Sequence, residues 1–215
     1  MLIHDIIPTV AVIEGCHLFI SVTEPMVIVR IDGTPVESIG EDHFRDSVGL
    51  VPQEPFLLAA SARENIAMGR KLGDAQVEAA ARAANAHDFI MGLERGYETP
   101  LGEGGARLSV GQKQLLAIAR ALAGEPRILF LDEATSHIDS ETEQVVQRAL
   151  SALRGKVTIV AIAHRLSTIR DADRIVVLNH GHIAERGTHS ELMAIDDGLY
   201  QRLYLLQQLE EEGAG

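Results

Sequence analysis

Beyond residue 30 the chain alternates short, nearly unbroken apolar runs with longer stretches in which apolar residues return every three or four positions. The short runs at 47–51, 127–131, 157–163 and 174–178 read as strands. The middle two are almost wholly Ile, Leu, Val and Ala, the pattern of strands covered on both faces. The longer stretches predict helices at 74–85 and 110–123, the second stopped by Gly124 and Pro126. A third is expected over 144–153, introduced by a capping box in which Ser140 and Glu143 serve each other's backbone amides, and ending near Gly155. Residues 179–182 read as a turn between two strands, and 200–209 as an amphipathic terminal helix. Strands alternating with helices of this length predict an α/β fold built on crossover connections.

Composition narrows the partners. Of 215 residues, 46% are hydrophobic, enough for a packed core and too many for a disordered tail. The net charge of −12, from 31 acidic and 19 basic residues, repels phosphate backbones, so no nucleic acid is expected as a partner. The single cysteine, Cys16, builds no disulfide framework and suits a reducing, cytoplasmic setting as a small apolar side chain. No Lys or Arg precedes Arg30, and Glu14, His17 and Glu24 interrupt the apolar start, so neither a signal peptide nor a membrane span is expected.

Chemistry concentrates in two places. The strand at 127–131 delivers Asp132 and Glu133 at its C-terminal end, the edge where open α/β sheets bind ligands. Carboxylates there can hold a hydrated Mg²⁺ while a neighbouring acid orients an attacking water. Upstream, Leu108-Ser109-Val110-Gly111-Gln112-Lys113-Gln114 opens the helix at 110–123. Ser109 is a good N-cap and Gly111 permits close approach, so this helix start can receive a phosphate through its amides and dipole. Gln53 offers both an amide oxygen and an amide nitrogen, suited to a hydrated cation. His164 closes an apolar strand, where a neutral imidazole can donate one hydrogen bond to a phosphate. His180, His182 and His189 read as exposed imidazoles around a turn rather than as a metal site.

The ordered set LSVGQKQ, ILFLDEAT, Ser136-His137-Ile138-Asp139 and Ala163-His164-Arg165 resembles an ATP-binding cassette nucleotide-binding domain. The resemblance runs from about 30 to 209. It implies a P-loop NTPase-like mixed sheet with a helical signature subdomain at about 55–124, preceded by an unrelated segment at 1–29 and followed by an acidic tail at 210–215. It implies ATP and Mg²⁺ as ligands. Ser109, Val110, Gly111 and Gln112 would form the signature loop, Asp132 the Walker B acid and Glu133 the catalytic glutamate. Asp139 would belong to the D-loop, His164 would be the switch histidine and Gln53 the Q-loop glutamine, the last two serving catalysis and Gln53 also the metal. Thr99-Pro-Leu-Gly-Glu103-Gly-Gly, Glu64-Asn65-Ile66 and AHRLST resemble exporters, in particular half-transporters that work as heterodimers. The implied partners are a second nucleotide-binding domain and an exporter's transmembrane domain, and the implied place is the cytoplasmic face of the plasma membrane.

One element of that family is missing. No G-x-x-x-x-G-K-S/T occurs, and the single Gly-Lys pair, Gly155-Lys156, is followed by Val157. Counting back from Ile31-Asp32-Gly33 puts the P-loop slot near residues 5–14, which read Asp-Ile-Ile-Pro-Thr-Val-Ala-Val-Ile-Glu. The core strand, P-loop and helix are therefore expected to be missing or replaced, as a shifted reading frame or misplaced start would produce. Three functions stay open: an energy-coupling ATPase subunit, a noncatalytic module lending its signature loop to a partner, and a remnant without activity.

Overall fold

The computed structural model describes residues 9–13, 18–23, 26–31, 33–132, 140–153, 155–163, 169–180 and 182–213. In chain order the strands are β1 Thr9–Ile13, β2 Leu18–Thr23, β3 Met26–Ile31, β4 Thr34–Pro35, β5 Val48–Val51, β6 Ile128–Asp132, β7 Thr158–Ala163, β8 Arg174–Asn179 and β9 His182–Gly187. The helices are α1 Glu41–Ser47, α2 Ala62–Ala67, α3 Asp74–Ala83, α4 His87–Met91, α5 Val110–Leu122, α6 Ser140–Ser151, α7 His189–Met193 and α8 Leu199–Gly213. They fall into two compact units, Gly40–Val157 and Met1–Ile39 with Thr158–Gly215.

In the unit Gly40–Val157, β5 and β6 run parallel, with Val48 opposite Ile128 and Val51 opposite Leu131. Strands 47–51 and 127–131 of the sequence reading are thus both present, each starting one residue later than expected. Helix α5 fills 110–122 because its apolar positions match the helical period, and Leu115, Leu116, Ile118 and Ala119 are buried. Its C-terminal end lies hard against β5. A Cβ on Gly49 would stand 3.1 Å from the Ala121 carbonyl oxygen and 3.0 Å from Leu129 Cδ1, so a larger residue there would make the helix end or Leu129 give way by a few tenths of an ångström. Helix α3 ends at Ala83, two residues short of expectation, because the chain turns left-handed at Asn85 with φ of 54°. Helix α6 starts at Ser140; the side chains of 140–143, and with them the expected Ser140–Glu143 capping pair, lie outside the described residues.

In the other unit β1 lies between β7 and β8 and is antiparallel to both, so two strands of the same sense flank a reversed one. Thr9 faces Ala163 and Ile13 faces Ile159. The sequence reading assigned no element here; TVAVI satisfies two neighbours at once through its backbone ladder. Strands β8 and β9 form the expected hairpin, turning through His180 at φ 48°. Strands β2, β3 and β4 make a separate antiparallel sheet. Ile169, Ala172, Ile175, Val177, Leu192 and Tyr200 form the core beneath the terminal helix. Helix α8 is pinned at its start, where the Glu185 carboxylate accepts the amides of Leu199 at 2.6 Å and Tyr200 at 3.0 Å. It runs through Glu210–Glu212, beyond the expected end at 209, since strong helix formers continue until Gly213. No helix among the described residues is long and apolar enough to cross a membrane.

Candidate functional site

Two strand ends supply the first half of the site. Because β5 and β6 are parallel and Val51 sits opposite Leu131, the residues leaving both strands emerge at one sheet edge. Asp132 is the last residue of β6 and is exposed. Gln53 follows two residues after β5 and is also exposed. A carboxylate and an amide oxygen from neighbouring strand tips form a hard, oxygen-only donor pair, the kind that holds a divalent cation while leaving most of its coordination sphere to water and phosphate. Oxygen donors of this kind are chemically suited to a hydrated Mg²⁺. Glu133, Asp139 and His164 lie outside the described residues.

The second half is the start of α5. Ser109 Oγ accepts the Gln112 amide at 3.2 Å, and Gln112 Oε1 accepts the Ser109 amide at 3.0 Å. This capping box was not anticipated; Ser-x-x-Gln was the available signal. It gives Gln112 a structural duty, so the side chain expected to face a ligand also fixes the loop. Val110 is 53% exposed, an apolar residue presented to solvent at the first turn, whereas Gly111 is buried. One turn on, Gln114 is buried, and its Nε2 has no hydrogen-bond partner among the described residues. Helix α5 meets β5 at its opposite, C-terminal end. Its capped start, Ser109, lies twelve residues earlier, about 18 Å along the helix axis from that contact.

The segment between Gln53 and α2 is held by Asn65, Ser61 and Glu64; the sequence reading noted Glu64-Asn65-Ile66 only as a family resemblance and gave these side chains no structural role. Asn65 is fully buried and its Nδ2 donates to the carbonyls of Leu58 at 3.1 Å and Ser61 at 3.0 Å. Its Oδ1 accepts the Leu58 amide at 2.8 Å. Ser61 caps α2 reciprocally with Glu64, whose carboxyl is held below its usual range by the Ser61 amide and hydroxyl. The loop 99–105 is stitched to the same segment: Ala62 N donates to Thr99 O at 3.2 Å and Leu101 N to Ala60 O at 3.0 Å. Gly105 closes that loop at φ 66°, where a Cβ would stand 2.6 Å from Leu57 Cδ1. An asparagine, a serine and a glutamate in and around one short helix carry no periodic signature, which is why this framework was not visible as a pattern.

Compared with known proteins, residues 19–136 match the ABC transporter family. A Streptococcus pneumoniae protein named as an ABC transporter ATP-binding protein, exp8, is 49% identical over 179 residues, taking in 83% of this chain and 30% of that protein. ABC transporter B family member 15 of Arabidopsis thaliana is 51% identical over 188 residues, 86% of this chain and 15% of its own. Among solved structures, a bacterial Atm1-family ABC exporter with ATP bound superposes with a TM-score of 0.77 at 42% identity, over 85% of this chain and 32% of that one. The chain thus spans a third or less of the length of these relatives.

Proposed function

Because the chain belongs to the ABC transporter family, we propose that it is the ATP-binding part of an exporter, coupling nucleotide binding and hydrolysis to movement of a transmembrane domain. The observation that carries this reading is the parallel register of β5 and β6, which supports Gln53 and Asp132 acting together on one Mg²⁺. Bound Mg²⁺ neutralises phosphate charge in phosphoryl transfer. Asp132 holds the metal from the strand tip, and Gln53 reports its presence to the segment that follows. Glu133 orients and deprotonates the attacking water, and His164 donates a hydrogen bond to the terminal phosphate, both roles resting on the sequence resemblance. The capped start of α5, with Ser109, Val110, Gly111 and Gln112, meets the terminal phosphate of a nucleotide held by a second nucleotide-binding domain, with Asp139 at the seam. The assembly works at the cytoplasmic face of the plasma membrane.

A second reading is favoured by one specific pair of observations. The sequence holds no G-x-x-x-x-G-K-S/T, and β1 enters the sheet reversed, its outgoing end beside Ile159 at the start of β7. A phosphate cradle formed after a strand at the Ala163 end is then not supplied by β1. In this reading the chain is noncatalytic and lends Ser109 and Gly111 to a partner that owns the cradle. Mg-ATP turnover by the chain alone, abolished in Glu133→Gln, supports the first reading. Turnover only with a partner nucleotide-binding domain, lost in Ser109→Arg, supports the second. A folded chain that neither binds Mg-ATP nor alters a partner's turnover overturns both.

A further inference from the structure

Arg120 leaves the last turn of α5 and turns all three guanidinium nitrogens to the segment after Gln53. Its Nε donates to Asn65 O at 2.8 Å, its Nη1 to Phe56 O at 2.7 Å and its Nη2 to Asn65 Oδ1 at 3.1 Å. Asn65 continues the chain of bonds to Leu58 N, Leu58 O and Ser61 O. Three atoms of one planar fork thus fix positions 56 and 65, and the buried amide they meet fixes 58 and 61. Arg70 lies across the same helix end, with Nη1 donating to Arg120 O at 3.3 Å, so two cations complement the negative end of the α5 dipole. Burial and the neighbouring Arg70 hold the Arg120 guanidinium below its usual range. Arg120 is half-buried, and an unpaired charge in such a setting is costly, which its three bonds to oxygen offset. Arginine suits the place because its fork reaches several carbonyls in one plane, which a lysine ammonium on its flexible stem cannot.

Helix α5 carries Ser109 at its far end, and β5, on which α5 rests at Gly49, leads into Gln53. We propose that Arg120 and Asn65 are positioning residues forming a strut that locks segment 56–61 to α5, so that the Gln53 tip and the Ser109 helix start move as one piece. The consequence for turnover rests on the exporter reading above; the strut itself does not. It places the sensing of nucleotide at Gln53 and the presentation of the Ser109 helix start under one mechanical constraint, with no side chain of the strut touching a ligand.

The test measures spin-label distances between cysteines placed at the exposed positions Glu54 and Arg107 in a Cys16→Ser background, using the full chain. The parent should give one narrow distribution. Arg120→Lys, which keeps charge while losing the fork, should about double its width, as should Asn65→Ala, and the double variant should be no broader than the broader single. An unchanged width in Arg120→Lys that still unfolds cooperatively overturns the strut; should Asn65→Ala fail to fold, Arg120→Gln takes its place. In an exporter assembled with this chain, Arg120→Lys should lower kcat about tenfold or more with KM for Mg-ATP unchanged, and should lower it no further in Gln53→Ala. Additive losses overturn action through Gln53. If the unsubstituted assembly turns over no ATP, the exporter reading fails, and the distance distribution alone decides the strut.

Discussion

Segments 56–61 and 9–13 are both short, and both are lodged among other elements, yet they are held by opposite means. The first is irregular and depends on identified side chains, Asn65, Arg120, Ser61 and Glu64, each bonding a particular backbone group. The second is a regular strand whose bonds come from the generic β ladder on both sides, with nothing but apolar sequence to choose its place. Side-chain clamps tie a conformation to particular residue identities, so single substitutions read it out. A ladder tolerates many sequences and is sensitive instead to anything that removes an amide or shifts register.

The largest effect expected from this contrast comes from Ala11→Pro. Ala11 faces Ala161 on one side and Ile175 on the other, so a proline there deletes a ladder bond inside the sheet and forces the strand apart. A loss of about 3 kcal/mol or more is expected. Amide exchange should show protection falling in β7 and β8 while α5 keeps its own. The reversed polarity has a direct check as well: cysteines at Ile13 and Ile159 should cross-link, and cysteines at Thr9 and Ile159 should not. The opposite pattern would show a parallel strand and remove the basis of the comparison.

Next in size is Gly105→Ala, where a positive φ and a Cβ 2.6 Å from Leu57 Cδ1 combine strain with overpacking. Its thermal midpoint should drop by an amount corresponding to about 1–3 kcal/mol. Gly104→Ala shares the left-handed backbone, at φ 57°, but has open space around the added methyl, and should cost only about 1 kcal/mol. Equal losses at the two sites would mean the Leu57 contact carries no weight. Smaller again is Ser61→Ala, expected to lower stability by about 1 kcal/mol through loss of the α2 cap, seen as a shifted denaturant midpoint with unchanged slope.

The smallest effect expected is a pH dependence in the other unit. His189 Nδ1 lies 2.9 Å from the Tyr200 hydroxyl, and the ring packs against Tyr204. Burial, followed by the charge of Arg170, holds the imidazole below its ordinary value of 6.5, with Asp171 opposing. Burial pushes the Tyr200 hydroxyl up to about 12, so it remains a donor to the neutral ring. The folded state therefore binds fewer protons here than the unfolded chain. This contribution is complete above about pH 6.5 and is lost as pH falls below it. Unfolding midpoints recorded from pH 7.5 down to 5.5 should decline, and His189→Asn should flatten that part of the slope; an unchanged slope would remove the histidine from the account.

Much of the interior was legible before any coordinates. The runs 127–131, 157–163 and 174–178 are so uniformly apolar that period and length left little choice, and helix α5 shows both its cap and its stop in the sequence. Asp132 at the tip of β6 followed from the strand assignment alone. Strand β1 was missed altogether: residues 5–14 were read as the slot of an absent P-loop, and even the apolar run TVAVI carries no information on direction, which only the neighbours β7 and β8 settle. Asn65 stood in the sequence as one residue of Glu64-Asn65-Ile66, yet its role depends on carbonyls at 58 and 61 brought near by the folded loop. Glu185 is similar, a carboxylate on a hairpin strand that caps a helix 14 residues later.

The direction of β1 also decides which end of β7 each of its own residues would mark. Thr9 stands beside Ala163 and Ile13 beside Ile159, so a bulky label on residue 9 would sit at the outgoing end of β7 and one on residue 13 at its incoming end.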